Sequence, residues 1–323
     1  MEGVDGRLLP AGLRLGTSSW IYPGWKGSIY RNWYRTEQDF QRHCLEEYAR
    51  WPWFRAVGVD ATHYRPPRRP ELQRLASQVP EDFRWVCKAG QRVTLPRFPR
   101  QRRFGSRSGL PNPEFLRPEP ILGEVLPAFE DAEVRQRTGP FVLQFPRLGQ
   151  DIPFREFLAG VDRLLRALPR EFEWAVEIRN ASFLQPAWFD LLNRHGATHV
   201  FNHWTSMPRL LDQMRAAARA GGLEAPFYLA RLLTPRGLRY QAAVERFQPY
   251  THVQEPVPEM REDAVRILRR AVRRGARALI LANNRAEGHA PGTVEAIGRA
   301  FLAAEPSPAV AEELREGESP AEE

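Results

Sequence analysis

Glu177 and Arg179 stand two apart in the run WAVEIRN that begins at Trp174. In a β-strand alternate side chains share a face, so Ala175, Glu177 and Arg179 would point one way and Val176 and Ile178 the other. Such a carboxylate and guanidinium support two readings. Glu177 is a general acid or base with Arg179 holding an anionic substrate group, or the two form an internal ion pair that fixes the fold. Lys88 closes the run RWVCK from Arg84 and is, with Lys26, one of only two lysines in the chain. A lysine desolvated there can act as a base or form a Schiff base; it can equally neutralise Asp60 or Glu177.

Asp60, His63, Glu177 and His203 are of the types that hold a divalent metal. They come from separate stretches with no short-spaced ligand motif, so no metal ligands are assigned and the cofactor stays open. Asn283 and Asn284 end the apolar run ALILANN. Side-chain amides at the end of a buried strand need partners, because unpaired they cost stability. His289, in EGHAPG, precedes a helical pattern whose N-terminus would attract an anion, with Arg285 close in sequence. Alternatively, Gly288 and Pro291 shape a turn that His289 caps. The catalytic candidates are therefore Glu177, Lys88 and Asp60. The binding candidates are Ser18, Trp20, Gln144, Arg179, Asn202, Arg231, Asn283, Asn284 and His289.

Elements able to position these residues recur along the chain. Strand-like runs begin at Leu13, Ala56, Arg84, Pro140, Glu173, Thr198, Pro226 and Ala278. Most are apolar nearly throughout, as parallel strands buried on both faces should be. Amphipathic stretches from Gln38, Arg69, Glu119, Pro153, Pro186, Ser206, Arg261 and Gly292 alternate with them. Eightfold β-α alternation predicts an α/β fold, a closed (β/α)8 TIM-type barrel, in one domain over residues 12–304. An open doubly wound sheet fits less well, because GTSSW after the first strand lacks the glycines of a dinucleotide loop. In a barrel all strand ends meet at one rim, which would bring the candidates together. Residues 1–11 read as flexible, and the acidic, Pro- and Ser-rich stretch 305–323 as a solvated tail.

A chain of 323 residues, 42% hydrophobic, can bury a sizeable core. Cys44 and Cys87 have neither metal-type nor disulfide spacing, and no apolar run is long enough to span a bilayer. No signal peptide is evident, so a soluble cytoplasmic protein is expected. The net charge of +8 comes almost entirely from arginine, which suits phosphate and carboxylate but also fits a general preference for arginine over lysine. A basic insertion, RVTLPRFPRQRRFGSRSG from Arg92, follows the third strand, and Trp20, Tyr22, Trp25, Tyr30, Trp33 and Tyr34 crowd the first loop. The expected partner is a small anionic ligand of sugar or phosphate type. Nucleic acid bound by the insertion and the aromatic loop is the alternative, and a non-catalytic binding module is a third.

Six stretches, in order from about Leu13 to Phe301, resemble the YecE-like family, also called domain of unknown function 72. They are GTSSWIYPGWKGSIY, VGVDATHYRPP, WVCKAG, FVLQFPRL, WAVEIRNASF and ANNRAEGHAPGTV. The resemblance implies a TIM-type barrel and brings no established reaction. The chain departs from the family pattern at the second strand, usually V-E-I-N-S-T-F-Y, where Gly58 takes the place of the acid and Asp60 that of the asparagine. Asn180 and Phe183 replace a His and a Trp after the fifth strand, and Leu233 a His after the seventh.

Overall fold

In the computed structural model, residues 5–303 are described; the stretch 305–323, expected as a solvated tail, lies outside the described residues. The eight strands are β1 Leu13–Thr17, β2 Ala56–Val59, β3 Arg84–Lys88, β4 Thr138–Gln144, β5 Trp174–Glu177, β6 Thr198–His203, β7 Phe227–Leu232 and β8 Arg277–Ala282. Each pairs in parallel with the next, and β8 returns to β1 to close the barrel. The predicted (β/α)8 fold is thus present.

Strand parity divides the core in two. Val86, Val142, Ala175, Val200, Leu229, Leu279 and Leu281 form the cluster that fills the barrel. Trp85, Cys87, Phe141, Leu143, Val176 and Phe201, on alternate positions, pack with the helices in the larger outer cluster. Cys44 and Cys87 are buried free thiols.

The surrounding helices follow the amphipathic runs. Glu37–Ala49 starts where the Thr36 hydroxyl accepts the Asp39 N–H at 3.0 Å, satisfying one of the donors a helix start leaves free. The helices Phe154–Ala167 and Pro258–Arg273 each bury one apolar stripe against the barrel. Besides short added helical turns at Ala61–Tyr64, Gln91–Thr94 and Ala132–Arg137, two features differ from the sequence reading. The helix expected from Glu119 is broken into a π turn, Ile121–Val125, and a 3-10 turn, Leu126–Phe129, because Pro127 has no N–H to continue the ladder. An extra helix, Tyr240–Phe247, lies between β7 and Pro258–Arg273. Among the described residues no helix is long and apolar enough to cross a membrane.

Ahead of β1, Gly6–Leu8 form a 3-10 turn and Leu9 is buried. The Arg55 guanidinium donates to the Leu9 carbonyl at 2.8 Å and the Arg7 carbonyl at 3.0 Å. The insertion after β3 is tied at its base: Asn112 Nδ2 donates to the carbonyls of Arg92 and Leu95, and Arg92 bridges Glu114 and Glu124.

β1 and β2 approach closely at Gly16, where a Cβ would lie 1.8 Å from the Ala56 carbonyl oxygen. Backbone on both sides leaves no flexible group to give way. Gly16→Ala should therefore cost at least about 2–3 kcal/mol in urea unfolding, whereas Gly123→Ala, which meets nothing within 4 Å, should be neutral within about 1 kcal/mol. Equal effects at the two positions would refute the close-approach argument.

Candidate functional site

Seven of the strands place a polar residue inward at or just beyond their C-terminal ends: Ser18, Asp60, Lys88, Gln144, Glu177, Asn202 and Arg231. The parity is that of the apolar residues filling the barrel below. At the centre of this layer is Glu177, with no solvent exposure. Its Oε2 accepts from Arg231 Nη1, and its Oε1 accepts from Arg179 Nε at 3.0 Å and Nη2 at 2.6 Å. Burial alone would raise the Glu177 pKa, but the guanidinium groups of Arg231 and Arg179 outweigh it and hold the carboxyl down at about 2. Gln144 Oε1 accepts a second bond from Arg231 Nη1 at 2.8 Å. The Arg179 guanidinium lies 3.7 Å from the centre of the Trp204 ring, a cation–π contact that fixes its plane.

A second pair stands on the other side of the barrel. Lys88 Nζ is 2.9 Å from Asp60 Oδ1. Burial, opposed by Asp60 and helped by Arg231, holds the Lys88 ammonium below the ordinary lysine value. For Asp60, burial is outweighed by Lys88 and Arg231, and the carboxyl lies below its ordinary value. Ser18, Gly58, Asp60, Lys88 and Arg231 line a cavity with about 200 Å³ of empty space, part of it open to solvent. Its enclosed part has room for about one water molecule. The Ser18 hydroxyl is buried there without a partner among the described residues. Burial, with Lys88 nearby, pushes His63 down to about 3, so its imidazole is neutral near pH 7.

Outside this layer the mouth is aromatic and basic. The Arg285 guanidinium lies 4.4 Å from the Tyr240 ring centre, and its field reaches Tyr22, Tyr250 and Arg179. Tyr22 and Tyr250 meet edge to face at 6.0 Å. Among the described residues Arg285 has no carboxylate partner.

The other candidates have local roles. The Asn283 side chain accepts the Arg285 N–H at 3.1 Å and caps the turn Asn284–Ala286. Asn284 Oδ1 accepts from Trp25 Nε1 at 3.2 Å and from the Ala290 N–H at 2.8 Å, which ties the β8 loop to the first loop. His289 Nδ1 accepts the Gly292 N–H at 3.2 Å at the start of the helix Ala290–Ala303. Asn202 Nδ2 donates to the carbonyls of Ile178 and Val200. Trp20 is buried, and its carbonyl accepts from Tyr30. Within the aromatic loop Trp25 and Tyr30 are core residues, while Trp33 is exposed. His203 has the parity of His199 and Phe201, which face the helices. No group of three or more His, Cys, Asp or Glu side chains among the described residues is placed to hold a metal.

Three mouth residues were not among the sequence candidates. Trp204 directly follows β6 and had a signal in that position. Tyr240 and Tyr250 belong to the unexpected helix and the loop after it, and nothing in their spacing marked them.

The profile of the family described as "Protein of unknown function DUF72" matches residues 14–315. No curated protein matches. Among solved structures, a DUF72 family protein from Enterococcus faecalis is similar at 16% identity and a TM-score of 0.60, over 91% of this chain and 97% of that one. Another from Thermotoga maritima is similar at 17% identity and a TM-score of 0.57, over 90% of this chain and 99% of that one. At such identities the likeness concerns the fold alone.

The Glu177 geometry makes a stability prediction with a defined sign. Its folded pKa lies below the ordinary 4.5, at about 2, so its contribution is complete above the ordinary value and is lost as pH falls through the folded one. Glu177→Gln should lose about 3–5 kcal/mol in urea unfolding at pH 7, because two buried guanidinium groups are left without their anion. The gap to wild type should close as pH falls from 4.5 towards about 2. A gap constant over that range would mean that the charge of Glu177 is not what stabilises the mouth.

Proposed function

The chain belongs to the DUF72 family of proteins of unknown function, and we propose that its barrel mouth binds and acts on a small polar anion, a carboxylate or phosphate ester. One observation carries this reading: the mouth groups Lys88, Arg179, Arg231 and Arg285 are four cations facing two carboxylates, Asp60 and Glu177. Buried charge in excess calls for a counterion, and an anionic ligand supplies it. The guanidinium fork suits a carboxylate or phosphate because it donates two parallel hydrogen bonds. Trp204, Tyr22 and Tyr240 add apolar walls of the kind small-molecule sites use.

The division of labour follows from the hydrogen bonds. Both oxygens of Glu177 are taken up by guanidinium groups, whereas Lys88 engages only Oδ1 of Asp60. Glu177 therefore holds the two arginines in place. Asp60 and Lys88, which border the cavity, are the groups free to exchange protons with a bound molecule.

The test is a thermal-shift titration with inorganic phosphate, malonate and glycerol 3-phosphate. A ligand at a hundredfold excess over its dissociation constant should stabilise the protein by about 2.7 kcal/mol. Arg179→Ala and Arg285→Ala should each weaken binding by about 10- to 100-fold, the usual worth of a charge-assisted hydrogen bond. Midpoints unmoved by all three probes would overturn the reading.

A second reading is favoured by the insertion after β3. Arg97, Arg100, Arg102, Arg103 and Arg107 occupy it with no carboxylate between them in sequence, and none forms an ion pair among the described residues. Such a surface would contact the phosphates of a single-stranded nucleic acid. Oligonucleotide affinity should then fall steeply with salt, by about 0.7 log units per log unit of salt for each phosphate contacted. Affinity insensitive to salt would exclude it.

A further inference from the structure

We propose that Lys88 forms an iminium with a carbonyl group of the anion held at the mouth, which makes the substrate an oxo acid or an oxo phosphate ester. This rests on the anion-binding reading above and adds the reacting atom to it.

Three observations converge on Nζ. The ammonium has three N–H donors and forms a single ion pair among the described residues, with Asp60 at 2.9 Å. It borders the cavity shared with Ser18, Gly58, Asp60 and Arg231. The Ser18 hydroxyl on that cavity is buried, at 2% exposure, with no hydrogen-bond partner among the described residues. A buried polar group left unsatisfied has a cost, which a hydroxyl on a ligand carbon would remove. A lysine whose whole task is to neutralise Asp60 needs neither the cavity nor the unpaired hydroxyl. Burial and the nearby Arg231 also favour loss of the ammonium proton.

The step balances within the site. Asp60 takes one proton from the Lys88 ammonium, and the freed Nζ lone pair attacks the carbonyl carbon. A proton passes from nitrogen to oxygen to give a neutral carbinolamine, whose hydroxyl Ser18 can bond. Asp60 then returns its proton to that hydroxyl, which leaves as water while the nitrogen lone pair forms the C=N bond. The product is a protonated iminium beside an ionised Asp60, so the charge pair of the resting site is restored. The arginines hold the carboxylate or phosphate end throughout.

Borohydride trapping of the full-length protein tests the step, with pyruvate and dihydroxyacetone phosphate as probes. Lactate and glycerol 3-phosphate, which lack the carbonyl, serve as binding controls by thermal shift. The expected result is a reduced adduct on the peptide containing Lys88. The assignment is clear, because Lys26 is the only other lysine and the α-amino group the only other primary amine. Lys88→Arg should abolish this adduct, and Asp60→Asn should slow its formation by about a hundredfold, the usual scale of acid–base assistance. If lactate or glycerol 3-phosphate binds but neither oxo compound is trapped on Lys88, the iminium falls and the anion-binding reading stands. If none of the four probes binds or is trapped, both fall. Label spread equally over Lys26, Lys88 and the α-amino group would also overturn the proposal, since that pattern marks non-specific amine chemistry.

Discussion

The Glu177 carboxylate, sealed from solvent between the guanidinium groups of Arg231 and Arg179, is the interaction on which the polar layer of the barrel depends. Each partner makes the others tenable. Without the arginines a carboxyl at that depth would be protonated, and without the carboxylate two buried cations would face each other unscreened. Gln144 and Trp204 then set the directions of the two guanidinium planes. The contrast with Glu287 is instructive. That carboxylate is equally buried, but it is balanced by one arginine, Arg261, and completed by the Thr293 hydroxyl and the Val257 N–H. Glu287 is a finished structural joint, whereas the Glu177 cluster retains a surplus of positive charge.

The surplus is effective because of what lies beneath it. The inward positions below the polar layer are Val86, Val142, Ala175, Val200, Leu229, Leu279 and Leu281, an apolar plug. Charges resting on such a floor interact more strongly than they would in water. The parity that puts Ala175 into the plug also puts Glu177 into the polar layer. A shift of one residue in β5 would turn Glu177 towards the helices and bring Val176 into the mouth. The register with β4, Ala175 opposite Val142 and Glu177 opposite Gln144, is therefore also what assembles the charge cluster.

Most of the scaffold was legible in the sequence for a physical reason. Parallel strands covered on both faces must be apolar nearly throughout, and polar residues then stand out at their ends. The two-residue spacing of Glu177 and Arg179 gave their shared face directly. The pairing of Glu177 with Arg231, 54 residues apart, was not legible, because only barrel closure brings β5 and β7 to a common axis. Lys88 had two possible partners in sequence, and the geometry gives it Asp60. The asparagines after β8 looked like lining of the mouth, but their oxygens are occupied by local N–H groups and the Trp25 indole. Short-range capping and long-range binding call for the same side chains, and sequence alone does not separate them. Pro127 was a further overlooked signal, since a proline inside an amphipathic run is a reason to break it.

The second strand shows how the backbone of one strand limits where its neighbour can carry an acid. The family pattern places an acid where this chain has Gly58 and an amide where it has Asp60. Residues two apart share a face and differ in height by about 6.6 Å along the strand, so Asp60 stands one inward step nearer the rim than Gly58. Nothing larger than glycine fits at the lower step while β1 runs as it does, because a Cβ on residue 58 would meet the Ser18 carbonyl. At the upper step the carboxylate reaches Lys88 and remains partly exposed. A carboxylate at residue 60 avoids that contact and serves as the counterion of Lys88.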